Sequence, residues 1–82
     1  MMQLSVLFFS VLRPLVEAES LEIVVEDGIT TGDLLEHLFA KFPGLESWKG
    51  KIRVAVDLEY VGSDYVLSDG QEVAVMPPVQ GG

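Results

Sequence analysis

Eighty-two residues leave room for one domain, where about 150 residues is a typical allotment. The chain has no cysteine and one histidine, His37, which excludes disulfides, thiolate nucleophiles and any two-histidine metal site. Thirteen acids against five bases give a net charge of −8, which opposes nucleic-acid binding, and 49% apolar residues fit a packed globule.

No apolar run approaches the ~20 residues that a membrane span requires. No basic segment precedes the first apolar stretch and no small-residue cleavage site follows it, so no signal peptide is read. The cytoplasm is the expected compartment. The acids are clustered: seven lie between Arg13 and Lys41 and five follow Arg53, with no Lys or Arg among them. Such a surface keeps a small domain soluble and, where it meets charged partners, favours basic ones.

Residues 3–9 hold β-branched and aromatic types without Gly or Pro and read as a strand. Alternation sets Leu4, Val6 and Phe8 on one face and Gln3, Ser5, Leu7 and Phe9 on the other. Leu7 and Phe9 are therefore surplus apolar groups on the more polar side. The segment 10–20, with Pro14 and a short apolar pattern, suits a turn of helix or a loop. Residues 21–26 form a second strand ending at Asp27-Gly28, and strand, short turn, strand reads as a hairpin.

The period then changes. Leu34, Leu35, Leu38, Phe39 and Phe42 make a helical stripe, opened by a capping box at Thr30-Thr31-Gly32-Asp33 and stopped by Pro43-Gly44. His37 falls off that stripe toward water and is assigned no chemistry. Residues 45–50 read as a loop whose Trp48 plugs the core beneath the helix. In 52–57, Ile52, Val54 and Val56 point inward, with Arg53, Ala55 and Asp57 outward. Tyr60-Val61 and Tyr65-Val66-Leu67 read as short edge pieces around Gly62, and Ser68-Asp69-Gly70 as a turn. Val73–Met76 is the last strand, cut off by Pro77-Pro78, which cannot donate to a ladder.

This order is α+β: one amphipathic helix laid on a four- or five-stranded mixed sheet. The ubiquitin-like β-grasp has the same order and sets the last strand beside the first. Leu7 and Phe9 would then adjoin Ala74 and Met76 in an exposed apolar patch, the mark of a partner surface. The expected division is a domain over 1–76 and a flexible tail over 77–82.

The body of the domain offers no nucleophile elbow, phosphate loop, metal spacing or Ser/His/Asp arrangement, and no metal site is expected. What remains is the end of the chain. Pro77 and Pro78 stiffen the exit from the sheet, and Gly81 and Gly82 carry no side chains, so the end can thread a narrow channel. A terminal carboxylate there becomes reactive once adenylation gives it a leaving group. A Gly-Gly end alone fits a frayed terminus equally well; after a strand, in this element order, it says more.

At these residues the chain resembles the molybdopterin synthase small subunit (MoaD) family, ubiquitin-like sulfur carriers, over nearly its whole length. The resemblance lies in Val6-Leu7-Phe8-Phe9, in Val56-Asp57-Leu58-Glu59-Tyr60-Val61, and in Leu67 to Ala74 leading to Pro77-Pro78-Val79-Gln80-Gly81-Gly82. The last motif is the most specific. The resemblance implies that a MoeB-type adenylyltransferase related to ubiquitin-activating enzymes activates Gly82 with ATP. A sulfurtransferase would then convert it to a thiocarboxylate. It further implies that the tail enters a MoaE-type large subunit, in a 2+2 heterotetramer. There sulfur passes to cyclic pyranopterin monophosphate, in molybdenum cofactor biosynthesis. No cofactor is expected on this chain, which would be non-catalytic alone, and neither nucleic acid nor membrane is an expected partner. Partner contacts would fall on Phe9, Leu7, Tyr60 and Met76. Asp57 stands where family members often carry Asn, and Val75 or Met76 where they carry an aromatic. Two other readings share the activated Gly82: a protein modifier joined to lysines, and a sulfur carrier for thiamine or tRNA thiolation.

Overall fold

The computed structural model describes residues 1–78. β1 (Met2–Phe8) alternates as its sequence requires, with Met2, Leu4, Val6 and Phe8 buried and Gln3, Ser5 and Leu7 on the opposite face. β2 (Ser20–Val25) pairs with it antiparallel, from Met2 opposite Val25 to Leu7 opposite Ser20.

The two strands are neighbours, but no tight turn joins them. A 3₁₀ turn (Ser10–Leu12) and a one-turn helix, α1 (Arg13–Val16), fill the connection and bury Leu12 and Val16. Pro14 sits in the first turn of α1, where an absent N–H costs nothing. The Asp27-Gly28 signal belongs instead to the turn after β2, where Gly28 takes φ +80° on the way to the main helix.

That helix, α2 (Thr31–Lys41), opens with both halves of the capping box. The Asp33 N–H donates to Thr30 Oγ1 (3.2 Å) and the Thr30 N–H donates to Asp33 Oδ2 (3.1 Å). Leu34, Leu38 and Phe39 are buried beneath it, and Leu35 and Phe42 pack against the same core. The Phe42 ring meets the edge of Phe8 at 6.5 Å between centroids. Full burial of one such Leu, Val or Phe side chain is worth about 1.5–3 kcal/mol. Thr31, the one buried polar side chain among the described residues, donates from Oγ1 to the Gly62 carbonyl at 2.6 Å. With the Thr31 N–H on the Tyr65 carbonyl and the Gly32 N–H on that of Ser63, it ties the start of α2 to residues 62–65.

Residues 45–50 are not the expected loop. Pro43–Trp48 is a 3₁₀ helix, and Leu45 and Trp48, three apart, share the face it turns to the core. Leu45 is fully buried there and Trp48 half-buried, so the expected place of Trp48 holds while that of Leu45 was not foreseen.

β3 (Arg53–Val56) and β4 (Glu59–Val61) form an antiparallel hairpin. Tyr65–Leu67 contributes a single bridge, Val66 to Thr30, rather than a strand. β5 (Glu72–Met76) runs parallel to β1 on one side and antiparallel to β3 on the other. The sheet order is β2-β1-β5-β3-β4, a ubiquitin-like β-grasp with five mixed strands around one long helix.

Candidate functional site on the outer face of the sheet

α2 covers the inner face of the sheet, so residues of the opposite parity face away from it. Register places them in three rows. In the first, Ser5 lies beside Glu72 on one side and Glu22 on the other, and the Asp57 N–H donates to the Glu72 carbonyl at 3.2 Å. In the second, Leu7, Ala74, Ala55 and Tyr60 adjoin one another across β1, β5, β3 and β4. In the third, Met76 lies opposite Arg53, and Phe9, just past β1, donates its N–H to the Val75 carbonyl at 3.2 Å.

A groove of about 240 Å³ runs over the second and third rows, lined by Phe9, Ala55, Leu58, Tyr60, Ala74 and Met76, with Glu72 at its far end. Three expected contact residues, Phe9, Tyr60 and Met76, thus share one hollow. Leu7 does not line it; it stands half-buried beside Ala74, one strand away. Ala55 points to this face as expected but is only 8% exposed, because it and Ala74 form a floor beneath longer neighbours. Val75 is fully buried on the inner side, so Met76 is the residue of that pair available to a partner.

Charge is ordered along the same face. Both arginines of the chain stand at the Met76 end. The Arg13 guanidinium lies 5.8 Å from the Phe9 ring centre, its Nε donating to the Phe8 carbonyl (3.0 Å), and that of Arg53 lies 5.6 Å from Tyr60. Carboxylates hold the other end: Glu72, Asp57, and Glu22, which accepts from Gln3 Nε2 (2.9 Å) and from the Ser5 hydroxyl. At the arginine end, Arg13 also meets the Glu19 carboxylate at 3.4 Å.

The chain leaves β5 at the arginine end through Pro77 and Pro78, both half-buried. Gly81 and Gly82, the expected reactive residues, lie outside the described residues. His37 is exposed on α2. Among the described residues no three His, Cys, Asp or Glu side chains are gathered to hold a metal ion, and no helix is long and apolar enough to cross a membrane.

Sequence reasoning missed Leu58. Asp57 and Leu58 are the two residues linking β3 to β4, and Leu58 stands 93% exposed at the rim of the groove. The signal was present: a two-residue link between alternating segments is hairpin length.

The ThiS family profile matches residues 6–82. A molybdopterin synthase sulfur carrier subunit from Chlamydomonas reinhardtii is 36% identical, over 99% of this chain and 100% of its own. Small archaeal modifier protein 3 from Haloferax volcanii is 34% identical, over 99% and 100%. Among solved structures, small archaeal modifier protein 1 from H. volcanii superposes with a TM-score of 0.86 at 25% identity, over 96% of this chain and 100% of that one. A complex of subunits 1 and 2 of the molybdopterin-converting factor from Helicobacter pylori matches with a TM-score of 0.70 at 26% identity, over 99% and 100%. With its β-grasp fold and a profile match that runs from β1 to the last residue, the chain belongs to the ThiS family, among relatives of the molybdopterin synthase sulfur carrier subunits.

Proposed function

We propose that this chain is the sulfur carrier subunit of a molybdopterin synthase, holding sulfur as a thiocarboxylate on Gly82. The observation that carries the reading is the groove of Phe9, Tyr60 and Met76, which lies where β5 hands the chain on to Pro77-Pro78-Val79-Gln80-Gly81-Gly82. A partner seated on that groove receives the tail at a fixed place. The two prolines limit the directions the tail can take, and the terminal glycines pass where a Cβ would obstruct.

The chemistry follows from the carboxylate. It resists nucleophiles until a MoeB-type enzyme transfers AMP to it from ATP, with pyrophosphate leaving. The terminal sulfur of a sulfurtransferase persulfide then displaces AMP to form an acyl disulfide, and a thiol cleaves its S–S bond, becoming a disulfide itself and leaving a C-terminal thiocarboxylate. Within a MoaE-type large subunit, in a 2+2 heterotetramer, its sulfur attacks a side-chain carbon of cyclic pyranopterin monophosphate, and the oxygen substituent on that carbon leaves as the C–S bond forms. Cleavage of the acyl–sulfur bond by water then returns the Gly82 carboxylate. This chain supplies the handle and the sulfur, and the partner supplies the catalytic groups. The H. pylori complex supports such a large subunit as the partner.

The likeness to archaeal modifier proteins favours a second reading, in which activated Gly82 forms an isopeptide bond with a lysine. Intact-mass measurement and tag blotting of the chain recovered from its own cells separate the two. The carrier reading expects a free chain whose mass rises by the exchange of one oxygen for sulfur. A ladder of covalent conjugates with no such free species overturns it. A thiolated chain that fails to restore molybdoenzyme activity in a strain lacking its small subunit points instead to thiamine or tRNA thiolation.

A further inference from the structure

We infer that Leu58 is a contact residue for the partner that receives the tail, held in a strained turn so that it projects beside the groove. The inference rests on the docking face proposed above. Val56 pairs with Glu59, leaving Asp57 and Leu58 as a two-residue hairpin link with φ of 49° and 72°. Both values are left-handed, the geometry of the type I′ turn, which favours Asn-Gly or Asp-Gly. Aspartate tolerates this region because its short side chain bonds locally; leucine does not. Leu58 also gains nothing from burial, since at 93% exposure it makes no part of the core. The isolated fold therefore gives no account of a leucine here, where glycine would relieve the turn and remove exposed apolar area.

Its position supplies the account. Leu58 lines the same groove as Phe9, Tyr60 and Met76, so it extends the apolar surface past the ends of β3 and β4. Exposed Asp57 and Glu59 flank it in sequence, making an apolar knob between two carboxylates. The complementary surface is an apolar socket with a basic rim, on the side of the partner away from the arginine end. A residue strained in the free protein and satisfied only in a complex is the pattern expected of a recognition element.

The test compares Leu58→Gly, Leu58→Asn and Leu58→Met with the wild-type chain and with Phe9→Lys. Binding to the MoaE-type large subunit of the same organism is measured by titration calorimetry, and Tm by thermal unfolding. Leu58→Gly and Leu58→Asn, both suited to a left-handed turn, are expected to keep or raise Tm while weakening the complex about tenfold or more. Leu58→Met is expected to bind within about threefold of wild type. Glycine and asparagine variants that bind as wild type while Phe9→Lys is weakened overturn the role of Leu58 and leave the docking face standing. If Phe9→Lys also binds normally, the docking face itself is wrong. A Tm lowered by several degrees in both Leu58→Gly and Leu58→Asn makes Leu58 a structural residue and overturns the inference as well.

Discussion

Removing Gly82, or adding residues after it, abolishes restoration of molybdoenzyme activity in a strain lacking the small subunit, and leaves Tm unchanged. The two halves of this expectation have separate causes. Stability is set upstream: β5 ends at Met76, and Val75 and Val73, its fully buried residues, lie seven and nine positions before Gly82. On the proposed function, activity depends on one group, a carboxyl on a residue without a side chain, at a fixed number of residues from the docking groove. Deletion shortens the reach and puts the carboxyl on Gly81; extension places it on another residue and fills the channel it must pass. An extended variant that still restores activity overturns the assignment to Gly82.

Phe8 and Phe9 are adjacent in sequence and are expected to respond in opposite ways. Phe8 is fully buried against Phe42 and the β1 core, and Phe8→Ala removes roughly 3–5 kcal/mol of transfer and cavity energy. A domain of this size has a total of about 4–12 kcal/mol, so that loss consumes much or all of it. Tm should fall by roughly 12–40 °C, read by far-ultraviolet circular dichroism on heating. Phe9, one peptide unit on, faces the groove with Arg13 over its ring. Phe9→Lys replaces that stacking, worth about 0.5–1 kcal/mol, with a like charge beside Arg13, a change of roughly 2–8 °C. Its large effect is on the complex, where a charge must enter an apolar contact. If Phe9→Lys unfolds the domain instead, the faces of β1 are reversed.

The contrast between those two residues was legible in the sequence, because strand alternation is a strict geometric rule and β1 has no bulge among its paired residues. The capping box of α2 was equally legible, since it depends on four consecutive residues. Placement of the last strand beside the first followed from the likeness of the element order to the ubiquitin-like β-grasp. What escaped was shorter or less periodic. A six-residue 3₁₀ helix offers two turns at most, and its buried members, Leu45 and Trp48, give too few repeats to set a period. The connection between β1 and β2 escaped because Asp27-Gly28 is a strong turn signal whose partners are set by tertiary pairing. Ala55 is buried by its neighbours' bulk rather than by any property of alanine. Leu58 escaped because a leucine contradicts the left-handed turn it occupies, so the hairpin length was not matched by hairpin residues. The groove itself was half visible: Phe9, Tyr60 and Met76 were marked as contacts, and their convergence required the register.

The place of β5 in the sheet bears on how the carrier survives repeated handling. β5 is bonded on both sides, parallel to β1 and antiparallel to β3, and the chain continues from its end into the segment on which the proposed chemistry depends. Traction on that end runs along the strand axis, so the bonds of both ladders are loaded together, in shear, rather than peeled open one after another. The edge strands β2 and β4 are not on the line of force. On the proposed function, a tail drawn into one enzyme, released, and drawn into the next would therefore pull on an interior strand held on both sides, and the domain would serve as the anchor of a tether.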